Sequence, residues 1–278
     1  MGHHYLPQYY LKGFCPDEKS IWVFDKKKKD PYQTHIKKTA NETKLYSEEL
    51  ELHLSRNIEA PANKVIYKIK NKQVLTNNEK LTLAEYIYTL LKRVPAGKAN
   101  VAALIPKMST ELNQELSEEI DKLIAEDPKL TDVGLKRKVE IDAILTKQRN
   151  NPSNEIWHKI IEAKSLEYVG LLASMKWQFL VQNNSSFLTC DNPIFYFKGM
   201  GIYKKTAELS FPISSNIMLW ATWRSDIPEC YQKASVGVIK EFNRRTAHNC
   251  NRFVYSQKNE EWILPFISKS NLKLNRII

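Results

Sequence analysis

The period of apolar positions changes twice along the chain, from about two to 3.6 residues and back again. Ile21–Asp25 alternates, with Trp22 and Phe24 on one face and Ile21, Val23 and Asp25 on the other, which predicts a strand. Lys26–Lys29 and the following Asp30-Pro31 predict the turn at a hairpin tip. Helical spacing then takes over. Leu50, Leu52, Leu54, Ile58 and Ala62 predict a helix over 46–70 that Pro61 kinks or interrupts, and a second helix runs from Asn77 to Val94. Leu112, Leu116, Ile120 and Leu123 form an amphipathic stripe, 132–147 forms another, and 154–180 reads as one long, mostly apolar helix. From Ser186 the texture is β again, with short runs at 187–190, 194–197, 208–212 and 217–223. A last long helix is expected over 234–248, followed by strands at 252–256 and 262–266.

This is an α+β plan: β-rich N- and C-terminal segments forming one mixed or antiparallel sheet, with a long helical middle section. The expected organisation is one domain over residues 1–278, with residues 98–150 as a helical insert or lid. Ahead of the first strand lies His3–Phe14, in which Tyr5, Leu6, Tyr9, Tyr10, Leu11 and Phe14 are too apolar to be left in water. The segment is therefore expected to be ordered and docked beside Thr189–Pro193, with Asp191 as the first-choice partner of the histidines and Glu59 as the second.

Composition narrows the functional classes. In 278 residues, 42% are hydrophobic and 26% charged, as in globular proteins, and no apolar run approaches a membrane span. The opening Met-Gly-His-His-Tyr has no apolar signal core, so a cytoplasmic location is expected. Cys15, Cys190, Cys230 and Cys250 form no C-x-x-C pair and read as reduced thiols. There are only eight glycines, and the one close pair, in Gly199-Met200-Gly201, lacks the third glycine or the Lys-Ser/Thr of a phosphate loop. No nucleotide cofactor is expected.

Charge points outward. The formal net charge is +11, unevenly spread: residues 193–278 carry 13 basic and 6 acidic side chains, whereas 111–148 carry 6 basic and 10 acidic. The basic part suits nucleic acid, RNA or DNA, with Arg224, Arg244, Arg245 and Arg252 as candidate phosphate contacts among Trp220, Trp223, Tyr231, Phe253 and Tyr255. The acidic helices of 111–148 offer a surface for a protein partner.

Reactive side chains concentrate in His3-His4-Tyr5-x-Pro7 and in Phe187-Leu188-Thr189-Cys190-Asp191-Asn192-Pro193. The second places a carboxylate and an amide where a strand ends, either facing a cleft or closing a plain Asp-Asn-Pro turn. Glu51 and Glu59 flank the apolar face of one helix, and Arg93 ends another.

These features, together with His3-His4-Tyr5-x-Pro7-x-x-Tyr10-Leu11-x-x-Phe14, Ile58-Glu59, Arg93-x-Pro95, Pro212-x-Ser214 and Asn243, resemble the bacterial family known as domain of unknown function 4238. A cysteine stands at position 190, where the family pattern leads one to expect a small residue, usually serine. The resemblance implies no established activity; it implies that these separated residues belong to one domain. Polar groups from remote segments are less costly to bury when they satisfy one another.

On that basis the candidate catalytic residues are His3, His4, Glu59, Arg93, Asp191 and Asn192. A histidine acts as general base or ligand; His4, Glu59 and Asp191 hold Mg2+ or Mn2+; Arg93 neutralises a phosphate. The expected function is a metal-dependent nuclease or other phosphoester hydrolase, with a role in bacterial defence against phage. The alternative is a non-catalytic nucleic-acid- or protein-binding module in which both motifs are structural.

Overall fold

The first residues of the chain already build tertiary structure. In a computed structural model, which describes residues 2–183, 186–197, 201–269 and 272–277, β1 (Gly2–His4) pairs antiparallel with β4 (Asn41–Thr43). Residues 199 and 200 of the sparse glycine pair lie outside the described residues. Helix α1 (Gln8–Lys12) follows β1, and Tyr5, Leu6, Tyr10, Leu11 and Phe14 are all buried. At ~1.5–3 kcal/mol for each large apolar side chain, this burial can outweigh the entropy of ordering a chain terminus. The docking partner is the expected one: the Tyr10 hydroxyl shares a 2.6 Å hydrogen bond with Thr189 Oγ1.

Strands β2 (Ser20–Asp25) and β3 (Tyr32–His35) form the hairpin expected around Lys26–Pro31. Next comes one continuous helical path with a change of pitch: α2 (Glu48–His53), a π-helical turn over Leu54–Glu59, and α3 (Ala60–Lys70). Pro61 explains the wide turn. It has no N–H for the carbonyl four residues back, and its ring crowds that carbonyl, so the Ala60 N–H reaches five residues back to Ser55. Helix α4 (Asn77–Arg93) starts with a Thr76–Glu79 capping box and ends at Arg93.

The chain divides into two compact units, Gly97–Ala163 and the remainder. The first is helical: α5 (Pro95–Glu126, from residue 97), α6 (Thr131–Asn150) and α7 (Asn154–Glu162). Helices α5 and α6 form a hairpin stitched by Asn113–Asp142 at 2.9 Å and Lys138–Asp121 at 2.6 Å. Gly134 permits their close approach, since a Cβ there would lie 2.7 Å from the Ile124 side chain.

The other unit continues with α8 (Leu166–Ser174) and then a strand, β5 (Lys176–Val181), so the single helix expected over 154–180 is two helices and a strand. Residues 177–180 are buried on both faces, which removes the alternation that would have marked a strand. Strands β6 (Thr189–Cys190), β7 (Phe195–Tyr196), β8 (Glu208–Ser214), β9 (Ile217–Thr222) and β10 (Tyr231–Lys233) lead to α9 (Val236–Asn249), β11 (Phe253–Ser256) and α10 (Ile263–Ile267). The expected strand at 262–266 is thus mainly helix. Pro265 cannot donate to a sheet ladder but is tolerated in a helix's first turn.

The architecture is α+β, with N-terminal strands paired to C-terminal ones in the four-stranded order β3-β2-β11-β6. The strands do not form one sheet: β10-β5-β9-β8-β7 is a second, five-stranded sheet, and β1-β4 stands apart. No helix among the described residues is long and apolar enough to cross a membrane.

Candidate functional site

Strand β1 places two adjacent histidines on opposite faces, and their hydrogen bonds require opposite tautomers. His3 is buried and its Nδ1 accepts the Tyr46 N–H at 3.1 Å, so its proton sits on Nε2. His4 is half-buried and its Nδ1–H donates to the Thr39 carbonyl at 3.0 Å, so Nε2 keeps the lone pair. Burial pulls the His4 pKa below 6.5, more than the Thr39 contact holds it up; Arg93 lowers it further and Glu59 raises it. Near neutral pH His4 is therefore an uncharged base.

Arg93 lies at the C-terminus of α4, 2% exposed. Its Nη1 donates to Glu59 Oε1 at 2.5 Å and its Nη2 to the His4 carbonyl, while its own carbonyl accepts the Tyr46 hydroxyl at 3.1 Å. Burial disfavours the guanidinium charge, but Glu59 and Tyr46 more than restore it, and the net shift is upward. With both terminal nitrogens engaged and almost no exposed surface, Arg93 positions Glu59 and the backbone of His4; it does not present itself to a phosphate. Glu59 remains 19% exposed at the end of the π-helical turn.

Two further groups belong to this cluster. Glu51, on α2, has its pKa raised by burial, with Arg93 opposing, Glu59 adding and His3 opposing. Its Oε2, the Tyr86 hydroxyl and Arg93 Nε are buried with no hydrogen-bond partner among the described residues. Tyr86 also feels the charges of Glu59 and Arg93, after the larger effect of its own burial. Buried polar atoms without partners are uncommon, and three of them belong to residues of this one cluster. In the sequence Tyr86 reads as part of the apolar face of the Asn77–Val94 helix, and Tyr46 carries no motif. The only signal for Glu51 was its eight-residue spacing from Glu59, about two turns along one face.

The second motif is a different kind of structure. Asp191 is 2% exposed and uses its carboxylate as a backbone clamp: Oδ1 accepts the Asn251 N–H at 2.8 Å, and Oδ2 accepts those of Arg252 at 2.7 Å and Phe253 at 3.0 Å. Burial raises its pKa and these bonds counter the rise. Asn192 and Asn249 tie each other's backbones, with Asn249 Nδ2 donating to the Asn192 carbonyl at 2.7 Å and Asn192 Nδ2 to the Asn249 carbonyl at 3.2 Å. Asn243 similarly holds Ser186 and Leu188. Neither histidine takes Asp191 as its partner.

The expected metal set of His4, Glu59 and Asp191 does not form. Among the described residues no group of three or more His, Cys, Asp or Glu side chains is placed to hold a metal ion. Asp191 already accepts three N–H groups, and the cluster around His4 contains a guanidinium where a cation would sit. His4, Glu59 and Asp191 are thus not placed as one ligand set for Mg2+ or Mn2+.

Each of the four arginines expected to meet nucleic acid has a carboxylate partner: Arg224 with Asp226, Arg244 with Glu241, Arg245 with Glu208 and Arg252 with Asp25. Arg245 is fully buried, so it is a core residue and not a phosphate contact. Trp220, Phe253 and Tyr255 are likewise partly or wholly buried in the strands.

No curated protein and no solved structure matches the chain. One family model does, over residues 2–260, which include the His3–His4 strand, Glu59, Arg93 and the Asp191 clamp. The chain belongs to the family described as protein of unknown function DUF4238.

Proposed function

We propose that this protein hydrolyses phosphoester bonds in nucleic acid by general acid–base chemistry at the His4 cluster. The observation that supports the reading is a pair of oppositely shifted groups around one ion pair: His4 lowered and Glu51 raised, both within the field of Arg93 and Glu59. Burial favours the neutral form of each, so His4 keeps a free lone pair and Glu51 keeps its carboxyl proton over a wider pH range than in water. His4 Nε2 takes the proton of the attacking hydroxyl as its oxygen bonds to phosphorus. The Glu51 carboxyl gives a proton to the oxygen whose bond to phosphorus breaks. Arg93 and Glu59 hold the backbone and the field in place. Both proton transfers are carried by groups of this chain.

The test is incubation of the purified protein with RNA, single-stranded DNA and duplex DNA, in Mg2+, in Mn2+ and in chelator. Cleavage is expected in chelator, with a loss of roughly 10²–10⁴-fold in His4→Ala and in Glu51→Gln. Cleavage unchanged in both variants removes the cluster from the chemistry. In cells, a defence role would appear as reduced phage plating with wild type and not with His4→Ala.

A second reading, a non-catalytic binding module, is favoured by the clamps: His3, Asp191, Asn192 and Asn243 all bond to backbone. Its protein partner would dock on the 111–148 hairpin, where Val133, Val139 and Ile144 are exposed. Absence of cleavage of any nucleic acid, with a partner captured in a manner abolished by Val139→Asp, would favour it.

A further inference from the structure

A cavity of about 530 Å³ lies beside the Asp191-Asn192-Pro193 turn, lined by Asn192, Phe195, Tyr196, Phe197, His248 and Asn251 among others. We propose that this cavity takes an unpaired base of single-stranded nucleic acid. The proposal deepens the hydrolase reading and rests on it only for placing the strand across the His4 cluster.

The walls have the chemistry of base recognition. Three rings follow one another in sequence; Tyr196 is 38% exposed, and Phe195 and Phe197 meet edge to face at 5.1 Å. Behind Phe197 stand two guanidinium groups, Arg245 at 5.0 Å and Arg276 at 5.6 Å from the ring centre, with the carboxylates of Glu208 at 2.8 Å and Glu241 at 3.8 Å from Arg245. The amides supply an edge. Asn249 spends its Nδ2 on the carbonyls of Asn192 and Ile194, and Asn192 spends its own on Asn249, so the Oδ1 atoms of both remain as acceptors. Asn251 is exposed, only its backbone N–H being held by Asp191, so its side-chain amide can present both donor and acceptor.

A flat, edge-polar, anion-bearing group is what such walls match, and the volume falls within the usual range for small-ligand pockets. A duplex hides its base faces in its own stack, whereas a single strand offers them. Continuity with the His4 cluster favours a strand over a free nucleotide. Ala96 lines the cavity and lies three residues after Arg93, so their Cα atoms are at most roughly 11 Å apart. A base held here would leave its neighbouring phosphates near Arg93's cluster. The Asp191 clamp thus acquires a use: it fixes Asn192 and Asn251, on the two chain segments it joins, at one pocket wall.

The experiment is fluorescence anisotropy with labelled single strands of about 12 nucleotides (oligo-rU, oligo-rA, oligo-dT), with AMP and a blunt duplex of the same length as competitors. Binding is measured for wild type, Tyr196→Ala and Asn251→Ala, each with its melting temperature. Tyr196→Ala should weaken single-strand binding about tenfold or more at unchanged melting temperature, and Asn251→Ala by a smaller factor. The proposal is overturned by no binding of any single strand, by Tyr196→Ala binding as wild type does, or by duplex or AMP competing as well as the single strand. Binding lost in Tyr196→Ala without any cleavage by wild type keeps the base pocket and ends the hydrolase reading. Cleavage that needs His4 but not Tyr196 does the reverse.

Discussion

Arg93 and Glu59 form an ion pair at 2.5 Å across 34 residues of sequence, and the same guanidinium takes the carbonyl of His4. One buried arginine therefore fastens the N-terminal strand to the end of α4 and to the π-helical turn. Removing it leaves a carboxylate and a carbonyl without their partner in a largely dry place. Arg93→Ala is expected to cost about 3–5 kcal/mol, the range for breaking one side of a buried pair. Residues 2–14 should lose amide-exchange protection before the rest of the unit. Equal protection in wild type and variant would show that the N-terminal strand is held by its apolar side chains alone.

Asp191 predicts a stability effect without a chemical one. Asp191→Ala strands three buried N–H groups, each costing ~1–3 kcal/mol when unsatisfied, though local relaxation reduces the sum. A loss of about 3 kcal/mol or more in denaturant unfolding is expected, from a residue that never meets a reacting atom. Asp191→Asn keeps one oxygen, which in the Oδ2 position still accepts the N–H groups of Arg252 and Phe253, and should fall between the two. A variant as stable as wild type would sink the clamp.

The pH dependence of stability follows from Glu51, whose folded pKa lies above its ordinary 4.5. A raised pKa contributes stability that is full below the unfolded value and is lost as pH rises through the folded one. Glu51→Gln should therefore melt above wild type at pH 7 and no differently at pH 4. His4 has the opposite sign for its class. Its pKa is depressed below 6.5, so its contribution is present above that value and is lost as pH falls through the folded pKa. In activity, the acid limb should have its midpoint below pH 6.5 and vanish in His4→Ala. An acid limb above 6.5 would assign the base to another group.

Pro61 sets the position of Glu59 through the π-helical turn. Pro61→Ala restores an N–H and lets the path over 48–70 run as a regular α-helix, which shifts the side chains of the preceding turn by about one position. We expect unchanged or slightly higher thermal stability together with loss of the Glu59–Arg93 pair, read as loss of cleavage and of amide protection at residues 2–4. Full activity in Pro61→Ala would mean that the wide turn is incidental to the site.

The local elements were legible wherever a short-range rule dominates. The Ser20–Asp25 strand and its lysine-tipped hairpin, the Thr76-capped helix and the amphipathic 112–124 stripe each declare themselves within about a dozen residues. The N-terminal segment could be foreseen as docked because its rings are too apolar for water, and Tyr10 on Thr189 is the result. The kink at Pro61 was also readable, since a missing N–H is a covalent property, although that it makes a π-helical turn was not. The strand at 176–181 was hidden because burial on both faces erases the period that distinguishes strand from helix. The division of roles between the two polar motifs belongs to tertiary structure. Asp191 became a clamp because β6 and β11 bring residues 251–253 beneath it, and Glu51 joined Glu59 and His3 because a helix end elsewhere supplied Arg93. The sequence determined which polar groups would be buried, through the apolar residues around them. Which of those groups would face one another was decided only when strands far apart in the chain came into register, because partner choice depends on through-space distance.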